Sequence, residues 1–221
     1  MKNRINLNLF KNIKDKEIAY ILGLLWADGH VTFANNNAKT PIIKHSAKDS
    51  DNTTFKEILK FSGEWNSFTC KNIGSYAKKP KTISVNWISN REFGEFLIQN
   101  QYRNKVQSPE MILGKIPHEL KSYWFRGYFD GDGSVTIKNK GHHSIAFTAN
   151  EKQDWKFVVD LFHDLNIINY KIRIVNSRGG TSSQIRITNK KDLLKFEDFI
   201  YSDYDANRLG LERKRIQFKN L

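Results

Sequence analysis

A chain of 221 residues with 39% hydrophobic, 13% aromatic and 27% charged side chains can bury a large core, which excludes a disordered or fibrous protein. Its 36 Lys and Arg against 23 Asp and Glu leave a formal charge of +13, which favours a polyanionic partner and disfavours an acidic one. The lone cysteine, Cys70, has no Cys-x-x-Cys or Cys/His cluster around it, so a disulfide framework and structural zinc drop out and a reducing compartment is expected.

The longest apolar run, Ile18 to Ala27, is about half the ~20 residues needed to cross a bilayer. No signal-peptide pattern opens the chain, so we expect a soluble, unexported protein without a membrane partner. Its expected place is intracellular: the cytoplasm or nucleoid, or the matrix of a mitochondrion or chloroplast. The run continues as an apolar helix from Ile21 and ends in Asp28-Gly29, with Gly29 suited to a left-handed residue that stops a helix. Strand-like stretches follow at Val31–Phe33 and Ile42–Ser46, then an amphipathic helix carrying Phe55, Ile58 and Leu59. An alternating strand, Thr82–Ile88, leads through Ser89-Asn90, an N-cap, into another helix.

From Phe125 the order repeats. Phe125 to Gly133 answers Ile21 to Gly29 at an offset of 104, and Ser134–Ile137 and Ser144–Thr148 answer the two strands. Phe157, Val158 and Leu161 answer the amphipathic helix, and Gln184–Thr188 with Asn189 answers the capped strand. The predicted architecture is α/β of the α+β kind: two pseudo-symmetric αββαββα subdomains, each with an antiparallel sheet, at residues 1–107 and 108–221. The linker is about 101–118, where Pro109 and Pro117 interrupt any apolar period. The basic tail from Arg208 to Lys219 is either a C-terminal helix or a solvated end. Positive charge is spread through the strand-like segments rather than gathered on one amphipathic helix, which favours nucleic acid over a membrane surface.

Gly23 and Ala27 on the first apolar helix, and Gly127 and Gly131 on the second, form small-residue stripes that allow two helix backbones to approach. Packed about a pseudo-twofold axis, the helices bring Asp28 and Asp132 together at one end. Two carboxylates at the negative ends of helix dipoles repel each other and resist ionising together unless a cation compensates. With oxygen ligands only, that cation is a hard one such as Mg2+ rather than zinc. The alternative, a helix-ending turn over a core, suits one Asp-Gly string better than two.

The strings Ile21 to Gly29 and Phe125 to Gly133 resemble the LAGLIDADG motif of homing endonucleases, in particular the single-chain members with two motifs. Gly23, Ala27, Asp28 and Gly29, and Gly127, Asp130, Asp132 and Gly133, fall on the motif's letters, while Trp26 and Arg126 depart from it. The resemblance implies paired motif helices between subdomains and a saddle of antiparallel sheets that lies in the DNA major groove. It implies hydrolysis of one phosphodiester per strand of a long asymmetric duplex target, leaving a staggered double-strand break that promotes intron or gene homing. Asp28, Asp132, Ala27 and Gly131 are the implied metal-binding residues. Mg2+ or Mn2+ is the implied cofactor, and Ca2+ is expected to bind without supporting cleavage. Basic and polar residues that complete the active site are Lys48 and Asn150, equivalent at offset 102, and Lys105 with Lys214 or Arg213.

The expected DNA-facing residues are Lys44, Ser46, Lys71, Ser84, Asn86, Lys138, Arg173, Arg186 and Thr188. Arg is expected to pair with guanine, Asn with adenine and Lys with phosphate. The alternation of Thr82, Ser84 and Asn86 with Ile83 and Val85 leaves the register open toward Ile88. Partners are therefore double-stranded DNA, with intron RNA as a further candidate, and the chain is expected to be a monomer. Other readings are an RNA maturase or a non-cleaving DNA-binding regulator on the same fold, and a nuclease without long-site selectivity. The tryptophans are assigned to the core, Asp130 to a capping or interface role, and His142-His143 to a solvated hairpin turn.

Overall fold

A computed structural model describes residues 4–35, 37–72, 81–138, 142–177 and 180–219. A short helix α1 (Leu7–Lys11) precedes α2 (Lys16–Asp28), which runs into β1 (Gly29–Phe33) and β2 (Pro41–Lys48). Then come α3 (Asp49–Lys60), β3 (Asn66–Asn72), β4 (Lys81–Ser89) and α4 (Arg91–Gln99). After α5 (Glu110–Leu113) the order returns as α6 (Lys121–Asp132), β5 (Gly133–Lys138), β6 (His142–Asn150), α7 (Lys156–Asp164), β7 (Tyr170–Ser177), β8 (Gly180–Ile187) and α8 (Lys190–Tyr201). Helices α9 (Tyr204–Asn207) and α10 (Glu212–Lys219) end the chain. Both sheets are four-stranded and antiparallel, in the orders β1-β2-β4-β3 and β5-β6-β8-β7, so the two halves carry one topology.

Helices α2 and α6 have no polar stripe because each is covered on all sides: every residue from Ile18 to Trp26 and from Trp124 to Asp130 is buried. They meet backbone to backbone. A Cβ on Gly23 would lie 1.9 Å from the Trp124 carbonyl oxygen, and one on Gly127 would lie 2.1 Å from that of Tyr20, so only glycine permits the crossing. Gly29 departs from the left-handed conformation expected of it, and its counterpart Gly133 does the same. Their backbones are extended, with φ of −77° and −78°, and the chain passes straight from helix to strand. Glycine is needed there for space instead: a Cβ would lie 2.2 Å from the Leu25 carbonyl oxygen and 2.1 Å from the Phe129 ring, respectively.

One large core runs through both halves, from Phe10 and Phe93 through Trp124 to Phe147 and Phe196. Asn90 and Asn189 cap α4 and α8, accepting from Phe93 N and from Lys191 N and Asp192 N. The connection between the halves is tied down: Tyr102 donates to the Leu22 carbonyl at 3.0 Å, Asp154 N to Val106 O at 2.7 Å, and Ile112 and Ile116 are buried. The C-terminal tail is a helix held over α6. Arg126 donates to the carbonyls of Ile200 and Leu209 and pairs with Asp203, and the Asp130 carboxylate accepts from Leu211 N at 2.8 Å and from the Tyr20 and Tyr201 hydroxyls. Of the capping or interface role expected of Asp130, the structure shows the interface one, tying α2, α8 and the segment before α10 together. Trp26, Trp124 and Trp155 are core residues and Trp65 packs at the core's edge. Trp87 instead lies half-buried on the outer face of β4, opposite Lys44.

Candidate active site and outer sheet faces

Asp28 and Asp132 end α2 and α6, so the glycine-mediated crossing carries both acids to one end of the helix pair. A Cβ on Gly131 would lie 3.0 Å from an Asp28 carboxylate oxygen and 2.3 Å from the Ala27 Cβ. The Asp28 carboxylate therefore lies across the residue that precedes Asp132. Burial pushes the Asp28 pKa up to about 6 against the pull of Lys214 and Lys105. Burial and the Asp28 charge push Asp132 up to about 7.

Two lysines face this end of the pair. Lys105 Nζ donates to the carbonyls of Ala27 (2.9 Å), Gly29 (2.5 Å) and Leu25 (3.4 Å). Lys214 Nζ donates to those of Phe129 (2.5 Å), Asp130 (2.7 Å) and Gly133 (2.6 Å). Each caps the C-terminus of the motif helix in its own half, satisfying its last carbonyls and offsetting its dipole. Both ammonium groups turn their donors to these carbonyls, and their charge acts on the two acids. Burial lowers both lysine pKa values to about 8.

The acids open into two clefts. Asp28 lines one of about 470 Å³ with Lys48, Asp51, Arg213 and Lys214. Asp132 lines another of about 320 Å³ with Lys105, Asn150, Gln153 and Arg103. Lys48 and Asn150, the last residues of β2 and β6, thus stand at equivalent places, each in the cleft of its own half's acid. Asp51, Gln153 and Arg103 are residues that the sequence did not bring forward. The signal was present for two of them, since Asp51 and Gln153 share the offset of 102 that relates Lys48 to Asn150.

The donors at the site are carboxylate and carbonyl oxygens, and among the described residues no group of three or more His, Cys, Asp or Glu gathers to hold a metal. Two mutually repelling carboxylates with oxygen neighbours fit a hard divalent ion that completes its shell with water and phosphate oxygens. The Ala27 carbonyl is already bonded to Lys105 at 2.9 Å.

The first cleft is also lined by Ser46 and Ser134, so the acids open on the same side as the outer faces of the two sheets. Residues opposite each other in an antiparallel pair share a face. On the first sheet this joins His30, Lys44 and Trp87, and Ser46 with Val85. On the second it joins Lys171 with Arg186, Arg173 with Gln184, and Thr148. Arg173 donates to Gln184 Oε1 at 2.8 Å, Gln184 Nε2 to Thr148 at 3.1 Å, and Arg186 to Ser144 at 2.5 Å.

Ser84 and Asn86 require correction. They pair with Ala47 and His45 on the covered face and are fully buried. Ser84 donates to Asp49 at 2.6 Å and Asn86 Nδ2 to Asn52 at 2.9 Å, so both anchor the first turn of α3 and neither faces outward. Lys71 is exposed but pairs with Thr82, on the same side as Ser84. Thr188 is exposed just beyond the end of β8. The Lys138 and His142 side chains lie outside the described residues.

Residues 119–201 match the model of the LAGLIDADG-like domain family. Three solved structures, each 15% identical in sequence, share the fold across the chain. The homing endonuclease I-WcaI bound to its DNA recognition sequence is covered over 91% of its length by 96% of this chain, with a TM-score of 0.57. I-DmoI, as a doubly substituted variant with nicked target DNA and Mn, is covered over 96% of its length by 85% of this chain, at 0.54. The N-terminal LAGLIDADG domain of DUF199/WhiA is covered over 97% of its length by 93% of this chain, at 0.51. No curated protein matches by sequence.

Proposed function

From a chain whose residues 119–201 match the LAGLIDADG-like domain model and whose fold is shared with two-domain LAGLIDADG homing endonucleases, we propose a metal-dependent, site-specific endodeoxyribonuclease. It cuts both strands of a long asymmetric duplex with a stagger and so promotes intron or gene homing. The observation that carries this reading is the pair of burial-strained acids, Asp28 and Asp132, each heading its own cleft beside the outer sheet faces. A pure binding module gains nothing from two buried carboxylates held above their usual pKa, one of them raised further by the charge of the other.

In hydrolysis a water oxygen forms a bond to phosphorus as the bond from phosphorus to the 3′-oxygen breaks, once per strand. Asp28 and Asp132 would hold Mg2+ or Mn2+, which when bound supplies Lewis acidity and a lowered pKa for the attacking water. Ca2+ would occupy the same acids without supporting cleavage. Lys105 and Lys214 limit the negative charge at the helix ends, while Lys48 and Asn150 border the acids where phosphate and solvent enter. Lys44, Ser46, Arg173 and Arg186, on the outer faces, serve phosphate and base contact. Because both halves of the saddle come from one chain, the active form in this reading is a monomer on double-stranded DNA, and its expected place is inside the cell.

The test is cleavage of a randomised duplex library with Mg2+ and with EDTA, followed by sequencing of the ends. Metal-dependent cuts at one long motif with a fixed stagger are expected. Asp28→Asn or Asp132→Asn should abolish cutting while binding survives. Salt-sensitive binding to DNA or structured RNA without cuts would instead support the regulator or maturase reading.

A further inference from the structure

The two clefts come from one repeat but are chemically unequal. In the first, Arg213 Nε donates to Asp51 Oδ1 at 2.8 Å and Nη2 to Asp51 Oδ2 at 2.6 Å, a two-point fork between α10 and the first turn of α3. Asp51 is 6% exposed, whereas the Arg213 side chain is 42% exposed. Asp51 is held firmly. Asp49 and Asn52, on either side of it, accept from Ser84 and Asn86 of β4. Burial raises the Asp51 pKa, but the Arg213 fork, with Lys48 and Lys214 nearby, outweighs this and keeps it below the usual carboxylate value.

The second cleft has neither partner. At the offset of 102 Asp51 is answered by Gln153, and since Lys105 answers Lys214 the residue answering Arg213 is Asn104. Gln153 Nε2 donates to the carbonyls of Val106 (3.2 Å) and Asp154 (2.9 Å). The arginine of that cleft, Arg103, lies over the Phe33 ring at 5.5 Å.

We propose that Asp51 is a positioning residue that fixes Arg213 as the phosphate-contacting guanidinium of the first cleft. The strand cut beside Asp28 then depends on this fork and the strand cut beside Asp132 does not. The inference rests on the endonuclease reading above. A guanidinium tied by a carboxylate along one edge keeps its direction, and its remaining donors suit phosphate oxygens. Among the described residues Arg213 Nη1 makes no hydrogen bond. Lys214 cannot take this place, because its three protons are held by carbonyls. A fixed cation facing the phosphate stabilises charge that develops on the equatorial oxygens as the water attacks.

The experiment uses the full chain, its selected target duplex with each strand labelled in turn, and Mg2+. Single-turnover nicking of each strand is compared for wild type, Asp51→Asn and Arg213→Lys, with duplex affinity and thermal melting measured alongside. Arg213→Lys keeps the charge but loses the fork, which guards against a variant that merely fails to fold. Both variants should slow one and the same strand by about tenfold or more and the other by less than about twofold, with affinity nearly unchanged. Equal slowing of both strands, or no slowing of either, would overturn the proposal. A wild-type chain that nicks neither strand would overturn the endonuclease reading and the proposal with it.

Discussion

His45 presents a sharp prediction because it is a fully buried imidazole with neither ring nitrogen bonded among the described residues. It lies on the covered face of β2, opposite Gly29 and Asn86, edge-on to Phe55 at 5.0 Å between centroids. Burial, with the Lys105 charge added, lowers its pKa from 6.5 to about 3. Above about pH 6.5 the ring is neutral folded and unfolded, and pH is without effect through it. Below that value the unfolded chain takes up a proton that the folded chain refuses until about pH 3, so stability falls as pH falls. At about 1.4 kcal/mol per pH unit for one proton, the fall from pH 7 to pH 5 costs about 2 kcal/mol through His45 alone. Its counterpart in the second half is Phe147, at the offset of 102, which makes His45→Phe the natural perturbation. Urea unfolding of wild type and variant at both pH values isolates the term. Asp28 and Asp132, whose raised pKa values work in the opposite direction, are common to both proteins and cancel. Any constant offset between the two proteins is packing. A pH-dependent difference below about 0.5 kcal/mol would refute an imidazole held uncharged by burial.

Gly127→Ala should destabilise by about 3 kcal/mol or more, because the added methyl meets backbone atoms, Tyr20 O at 2.1 Å and Leu24 N at 2.9 Å, which no rotamer change relieves. An unchanged melting temperature would show that the helix pair can separate at little cost. Arg186→Ala and Asn86→Ala should separate binding from folding. Loss of the outer-face Arg186 weakens duplex binding and, if it meets phosphate, lowers the log–log salt slope by about 1. Loss of Asn86, which anchors Asn52 from the covered face, lowers stability by about 1–3 kcal/mol and leaves the preferred target sequence unchanged. Anisotropy titrations at several salt concentrations, with thermal melts, check both, and a changed target preference in Asn86→Ala would contradict the assigned register.

Local pattern carried much of this fold. The repeat at offset 104, the apolar Asp-Gly helices, the alternating strands and the caps at Asn90 and Asn189 are all written in residue type and spacing. The small residues at Gly23 and Gly127 announced a close helix crossing, because no side chain fits where two backbones touch. The pairing of Asp28 with Asp132 follows from that crossing.

Which face of a strand is covered is another matter. A period of two makes Ser84 and Asn86 share a face, but only the first turn of α3, bonded to them through Asp49 and Asn52, decides that the face is buried. The same holds for the roles of charged side chains. Lys105 and Lys214 were legible as basic residues near each repeat's end, yet only folding sets each ammonium among three carbonyls. Asp51 and Arg213 are 162 positions apart, beyond the reach of any local pattern. Sequence alone therefore determined the motif, amphipathic and capped helices of each half, its strands other than β3 and β7, their duplication and the two acids, since such elements are selected by neighbours along the chain. Strands β3 and β7 were located only by the structure. Tertiary structure alone decided the inequality of the two clefts, since burial and ion pairing depend on residues that only folding makes neighbours.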